Sequence, residues 1–433
     1  MRRGGRIAVM ALLALLTGVF AAPLSAEESG GTVAAPPAGD EPIDLVDLEK
    51  RRRNAMFTMP MSQRVGRYLK ATAEEMDEGN FTEARRLLLK LNMKRLNRFE
   101  RAMVYRMIGY ISYAIGDSDA AIEAFENALA EEALVLNVDV SIMFNVVQLR
   151  AAREEWPQAL AALDRWRRYV PEATGLSLYL RAVAHYQLDD YDAALAAMQE
   201  CVATTDEPEE AWLQLLAALY MLQEDFASVT PVLEELVMRF PKKQYWVQLS
   251  LIYGARDDYR HSLAVQQIAH LQGFLTEDRE LQRLARSYAF AGLPFEAANV
   301  LDEGLDSESI EGDAKAYKFL ANSWIQAREY DRSVPPLRRA AELSENGDLY
   351  VRLGQVQMAQ EQWKEAVSLF EKAIEKGDLR NPGSAELLLG IALYNDDRVG
   401  PARFKFERAK NFEKTRKAAN DWLAHIDREA RAG

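Results

Sequence analysis

Cysteine is almost missing from this sequence: Cys201 stands alone among 433 residues. One thiol closes no internal disulfide, so packing alone must hold the chain together. Histidine is nearly as scarce. His185, His261, His270 and His425 are spread over 240 residues, with no pair at the i, i+4 spacing of a helical metal site, and they read as helix-surface or packing residues. Glycine and proline number only 23 and 15, too few for a collagenous or low-complexity chain. No segment alternates apolar and polar residues over the length of a strand, which points away from sheets. There is no glycine-rich phosphate loop and no nucleophile elbow. Carboxylates are plentiful but offer no nominated acid and base pair, so no catalysis, cofactor or metal is expected. Positive charge is also in deficit, with 53 Lys and Arg against 66 Asp and Glu and a net charge of −13. That balance disfavours nucleic acid or an anionic membrane as the main partner and suits a basic or neutral protein.

The first residues, MRRGGRIAVMALLALLTGVFAAPLSAEES, set Arg2, Arg3 and Arg6 before an apolar run from Ile7 to Phe20, then small residues around Ser25 and Ala26. This is the order of a secretory signal peptide, residues 1–26, cleaved after Ala26. The run of about 14 residues is short of the ~20 that span a bilayer, and no cysteine stands near the cut to carry a lipid. Losing the three arginines takes the charge from −13 to −16. Residues 27–43, rich in Gly, Pro and Ala, read as a flexible tether. Residues 44–63 then form an N-terminal capping segment. Its run Lys50, Arg51, Arg52, Arg53 reads as a solvated helix face, with a docking patch for an acidic partner as the other reading.

What the chain has in abundance is one spacing. Gly354 is followed by Ala366, Phe370 and Ala373; Gly109 by Ala121, Phe125 and Ala128; Gly390 by Ala402, Phe406 and Ala409. The small residue of this ladder can be followed ten times, as Ala84, Ala121, Ala159, Ala194, Val229, Ser262, Ala297, Ser333, Ala366 and Ala402, at intervals of 33 to 38 residues. A period near 34 belongs to paired antiparallel helices stacked into a solenoid. Small residues mark where helices approach closely, and large ones such as Tyr350, Leu353 and Phe370 fill the core between. Pro171 and Pro241 close second helices. Cys201 takes the place equivalent to Ala373, a packing position. The expectation is an all-α, right-handed α-solenoid of about ten helix-turn-helix repeats over 64–410. Residues 411–433 add a capping helix whose apolar face carries Ala419, Trp422, Leu423 and Ile426.

With no chemistry to place, a surface remains. Outward positions of the first helices carry Tyr110 and Tyr113, then Phe144 and Gln148, then Tyr179, Val183 and Tyr186, with Arg286, Lys318 and Asn322 further along. Aromatic rings on a rigid frame make good binding anchors, so these residues form a candidate concave peptide groove. Packing of the tyrosines between neighbouring helices is an equal alternative.

The ladder Leu353-Gly354, Ala366, Phe370, Ala373 resembles the tetratricopeptide repeat family, over about Arg64 to Lys410. The resemblance implies the solenoid and a protein-binding role of unspecified partner. Some co-chaperone members grip a C-terminal carboxylate with a Lys and Asn clamp. Lys318 and Asn322 match its first pair, but Asp348, Arg352 and Leu388 stand at the later positions, so the clamp does not carry over. A narrower likeness lies in the order of MFTMPMSQRVGRYLKATAEEMDEGNFTEA, FPKKQYWVQLSLIYG, AFAGLPFEAANVLDEGL and LANSWIQAREYDRSVPPLRRAAELSENGDLYVRLGQV. These phrases look like exported repeat proteins that accompany the TonB, ExbB and ExbD energy-transduction components. That resemblance implies a periplasmic, non-catalytic accessory of energised uptake in a Gram-negative bacterium. The alternatives are a scaffold for polysaccharide export, pilus assembly or outer-membrane protein assembly, and a hydrolase or transferase acting on cell-wall material.

Overall fold

The computed structural model describes residues 44–432, and the expected signal peptide and tether lie outside them. Among the described residues there are 22 α-helices and no strand. Helix α1 (Leu45–Thr58) precedes ten pairs. The first five are α2 and α3 (Gln63–Asp77, Phe81–Leu89), α4 and α5 (Arg98–Ala114, Ser118–Ala130), α6 and α7 (Leu136–Ala152, Trp156–Arg167), α8 and α9 (Gly175–Gln187, Tyr191–Val202), and α10 and α11 (Glu210–Leu222, Phe226–Arg239). The next five are α12 and α13 (Lys243–Ala255, Tyr259–Leu271), α14 and α15 (Asp278–Phe290, Pro294–Asp306), α16 and α17 (Ala314–Gln326, Tyr330–Leu343), α18 and α19 (Asp348–Ala359, Trp363–Lys376), and α20 and α21 (Pro382–Asn395, Val399–Ala409). Helix α22 (Arg416–Ala432) ends the chain. This is the α-solenoid of tetratricopeptide-like repeats that the period implies. The described residues divide into two compact units, one up to Leu236 and one from Val237.

The ladder of small residues is the seam within each pair. A Cβ on Gly109 would lie 2.4 Å from the Phe125 ring, one on Gly354 2.7 Å from Phe370, and one on Gly390 2.6 Å from Phe406. Only hydrogen leaves room there for the ring of the second helix. All ten marker residues sit on second helices and are buried. Apolar cores form between consecutive helices as a succession of clusters, which is how a repeat array shares its burial.

The turn inside each pair is built the same way ten times. The second residue beyond the first helix is left-handed: Gly79, Gly116, Glu154, Asp189, Glu224, Asp257, Gly292, Arg328, Glu361 and Asp397, at φ between 57° and 79°. The following amide donates back five residues, as Asn80 N to Glu75 O at 2.7 Å and Glu329 N to Trp324 O at 2.9 Å. This bond satisfies a carbonyl that the helix end would otherwise leave unpaired. The donating residue then caps the second helix, and Asp117, Asp190, Asp225 and Asp258 each accept from the amide three residues ahead.

Both ends are covered. At the C-terminus α22 packs on α21, burying Ala419, Leu423 and Ile426, and Trp422 stacks on Phe406 with centroids 5.4 Å apart. At the other end, Glu100 is 4% exposed and accepts from Ser62 N at 2.9 Å, Ser62 Oγ at 2.6 Å and Asn97 N at 3.1 Å. Burial pushes this carboxyl up, and the three hydrogen bonds outweigh it, leaving it below its ordinary value. Helix α1 meanwhile lies against α6. Here the reading of the basic run as a solvated face needs correction. Arg51 and Arg53 are exposed and pair along their own helix with Asp47 and Glu49, but the side chain of Arg52 is 9% exposed and pairs with Asp139, 1% exposed, on α6. Arg52 therefore anchors α1 inside the molecule. Its spacing with half-buried Leu45 and Leu48 makes one inward stripe that the run of like charges conceals.

Gly354→Leu forces side-chain atoms into the Phe370 ring and should lower stability by about 3 kcal/mol in denaturant unfolding. Gly400→Ala, where a Cβ meets nothing within 4 Å, should instead raise it by up to about 1 kcal/mol. Asp139→Asn leaves the Arg52 charge buried without its partner. Trypsin should then cut after Arg51 to Arg53 faster than in the wild type while the repeats stay resistant.

Candidate interaction surfaces

The aromatic residues expected to line a groove in the first unit are largely committed to packing. Tyr110 on α4 meets Phe125 edge-on at 5.2 Å, and its hydroxyl accepts from Asn145 Nδ2 at 3.4 Å. Phe144 on α6 packs on Trp166 at 5.0 Å. Tyr179 on α8 stacks on Trp212 at 6.3 Å, and burial, then the charge of Glu209, pushes its phenol up to about 12. Tyr186 packs at 5.7 Å from Tyr191, and burial raises its pKa too. Val183 corrects the outward-facing assignment outright: it is 8% exposed and belongs to the core around α8. Tyr113, 44% exposed, is the ring that still faces water, and Gln148 is half-buried beside this row.

In the second unit the first helices do form a concavity. Residues of α16, α18 and α20 line a groove of about 770 Å³. Its lining is mixed: Ile325, Leu349, Val351, Val356 and Leu388 are apolar, and Lys315, Lys318, Arg352 and Arg380 stand with a single acid, Asp348. Arg380 is spoken for: its Nε lies 3.1 Å from Asp348 Oδ2 and its amide donates to Asp348 Oδ1 at 3.1 Å. Lys318 is thus the expected residue that lines the groove. Asn322, one turn further along α16, keeps a buried Oδ1 without a hydrogen-bond donor and is not among the lining residues. Arg286 on α14 is exposed and donates to Gln282 Oε1 at 2.7 Å, away from that lining. Sequence reasoning passed over Lys315 and Arg380, and set Arg352 aside as a departure from the clamp. The available signal was periodic: Arg352 follows Lys318 by 34 residues, one repeat.

Cys201 behaves as its packing position requires. It is buried, its Sγ donates to Gly175 O at 3.2 Å, and burial, followed by the nearby Glu209, pushes the thiol up to about 12. Among the described residues no group of three His, Cys, Asp or Glu is placed to hold a metal ion, and no helix is long and apolar enough to cross a membrane.

Two stretches match models of the tetratricopeptide repeat family, residues 176–205 and 348–376. They fall on the pairs α8 with α9 and α18 with α19, each of which matches one tetratricopeptide repeat. Solved structures of low identity are similar to parts of the chain. The chain is 22% identical to MamA, with TM-score 0.32, over 38% of this chain and 95% of that one. It is 15% identical to YrrB, described as a repeat protein with an unusual peptide-binding site, with TM-score 0.35 over 43% and 95%. It is 15% identical to a tetratricopeptide repeat protein from Parabacteroides merdae, with TM-score 0.24 over 68% and 99%. No curated protein matches the chain. Repeats of this type make a protein–protein interaction scaffold.

The packing of these rings separates two kinds of variant. Tyr179→Ala removes a ring from a filled seam and should cost about 3 kcal/mol of stability, whereas exposed Tyr113→Ala should change it by less than about 0.5 kcal/mol. Denaturant unfolding of the two variants checks the difference.

Proposed function

We propose that this chain is an exported, non-catalytic scaffold of the Gram-negative periplasm that serves a TonB-type energy-transduction system, with TonB, ExbB or ExbD as partner. The observation that carries the scaffold reading is the second-unit groove, which residues of three successive first helices line with apolar and cationic side chains. The export reading rests on the basic, apolar and small-residue order of residues 1–26. The link to the TonB system rests on the four sequence phrases quoted above. A stack of repeats with no recognised catalytic motif in its sequence suits capture of a protein better than turnover of a small molecule. A scaffold for another envelope machine shares every feature except those phrases.

In-cell cross-linking of the tagged chain in its native envelope, with affinity capture and mass spectrometry, tests this reading. Enrichment of TonB, ExbB or ExbD is the expected result. Recovery of a polysaccharide-export, pilus or outer-membrane assembly complex without them would discard the TonB assignment. Recovery of the chain in the cytoplasmic fraction with residues 1–26 still attached would discard export.

A further inference from the structure

The charge of this chain is unevenly placed. Residues 50–106 hold 15 Lys and Arg against 6 Asp and Glu, whereas residues 107–433 hold 35 against 53. Much of the local excess gathers at one edge of the first pair. Asn97 Nδ2 donates to Pro60 O at 3.2 Å, and Ser62 N and Oγ donate to Glu100, so the starts of α2 and α4 meet at the edge where α3 ends. Arg64, Lys90, Lys94 and Arg95 stand exposed there, and none of the four enters an ion pair among the described residues. Arg98 and Arg101 beside them are taken up by Glu131. Helix α2 carries its charges against its own dipole. Arg64 lies in a first turn that has no acid, and Glu74, Glu75 and Asp77 lie in a last turn that has no base. A helix prefers the opposite order, so the needs of the helix do not account for the placement. The connection from α3 to α4 is firmly held: Leu91 is buried, Asn92 Oδ1 accepts from Lys94 N at 3.1 Å, and Arg101 donates to Leu96 O at 2.8 Å. Next to this turn Leu89, the last residue of α3, is 71% exposed.

From this we infer that the edge docks the chain on an anionic phospholipid surface, with Leu89 entering the headgroup layer and Arg64, Lys90, Lys94 and Arg95 meeting the phosphates. A lipid interface rewards both features at once, cations at the phosphate level and an aliphatic side chain that leaves water for the acyl boundary. A nucleic acid would use the cations and leave Leu89 wet. The cations come from the start of α2, the end of α3 and the turn after it, so a broad surface reaches all of them where a short acidic segment reaches a few. The acidic remainder of the chain does not prevent the contact, because salt screens charges beyond about 8 Å at physiological ionic strength. The inference goes beyond the scaffold reading and does not depend on which protein the repeats capture.

The test is co-sedimentation with vesicles of phosphatidylcholine alone and of phosphatidylcholine mixed with phosphatidylglycerol. It uses the processed chain, residues 27–433, which keeps every described residue and lacks the apolar run of residues 7–20. Expected is binding to the mixed vesicles that weakens with salt, with little binding to phosphatidylcholine alone. Lys90→Gln with Lys94→Gln and Arg95→Gln should lose at least about tenfold in partitioning. Leu89→Ser should lose severalfold and leave the salt dependence in place. Lys414→Gln with Lys417→Gln, which removes cations at the other end of the chain, should bind as the wild type. Circular dichroism checks that each variant is folded. Failure to sediment with the mixed vesicles at low salt would overturn the inference, as would unaltered binding by the folded triple variant or an equal loss from the Lys414 and Lys417 pair. Equal binding to both kinds of vesicle would overturn the role of the cations. Capture of polyglutamate through the same residues, without vesicle binding, would assign the edge to an acidic protein instead of a lipid.

Discussion

Two helices can run side by side only as closely as the side chains between them permit, and this limit organises the whole chain. Where Gly109, Gly354 and Gly390 face Phe125, Phe370 and Phe406, the missing Cβ lets an aromatic ring lie directly on the backbone of the first helix. The ring fills the seam, the buried small residue of the second helix fits against it, and the pair becomes a unit with one apolar face spent and another left over. The leftover face is covered by the next pair, so stability is shared between neighbours and no single core exists. This is also why the last pair needs α22. Trp422, stacked on Phe406, does for the tenth pair what an eleventh would have done.

The turns show how far such a scaffold tolerates local strain. Every pair reverses through a left-handed residue, and Glu154, Glu224, Arg328 and Glu361 hold that conformation without being glycine. A side chain there costs about 1 kcal/mol or more. The repeated bond back across the helix end and the packing on both sides outweigh that cost. A turn fixed this firmly keeps the first helices in register, and register is what lets Lys318, Arg352 and Leu388 share one groove although 70 residues separate the first from the last.

Electrostatics in this molecule is decided locally. The formal charge of −13 suggests a basic partner, yet the concavity of the second unit is cationic because its acids are few and its one carboxylate already serves Arg380. The basic run before the repeats shows the converse. Of three adjacent arginines, two are solvated and paired along their own helix, while Arg52 is drawn inside to Asp139. The dense positive cluster is thus partly consumed in fastening α1 to α6.

The all-helical class, the ten pairs, the seam positions, the packing role of Cys201 and the terminal cap were legible in the chain itself, because each is written in a period near 34 and helical geometry turns a period into a face. Tertiary structure decided the surface. Whether Tyr110 or Tyr179 faces solvent or a neighbour depends on which rings of the adjoining helices, Phe125 and Trp212, reach it. Val183 is buried and Tyr113 exposed. The burial of Arg52 depends on Asp139, a residue 87 positions away, and no local pattern links the two. The groove likewise exists only once three helices from three repeats are set side by side, since Lys318 on α16, Asp348, Leu349 and Arg352 on α18 and Leu388 on α20 come from three separate stretches of the chain.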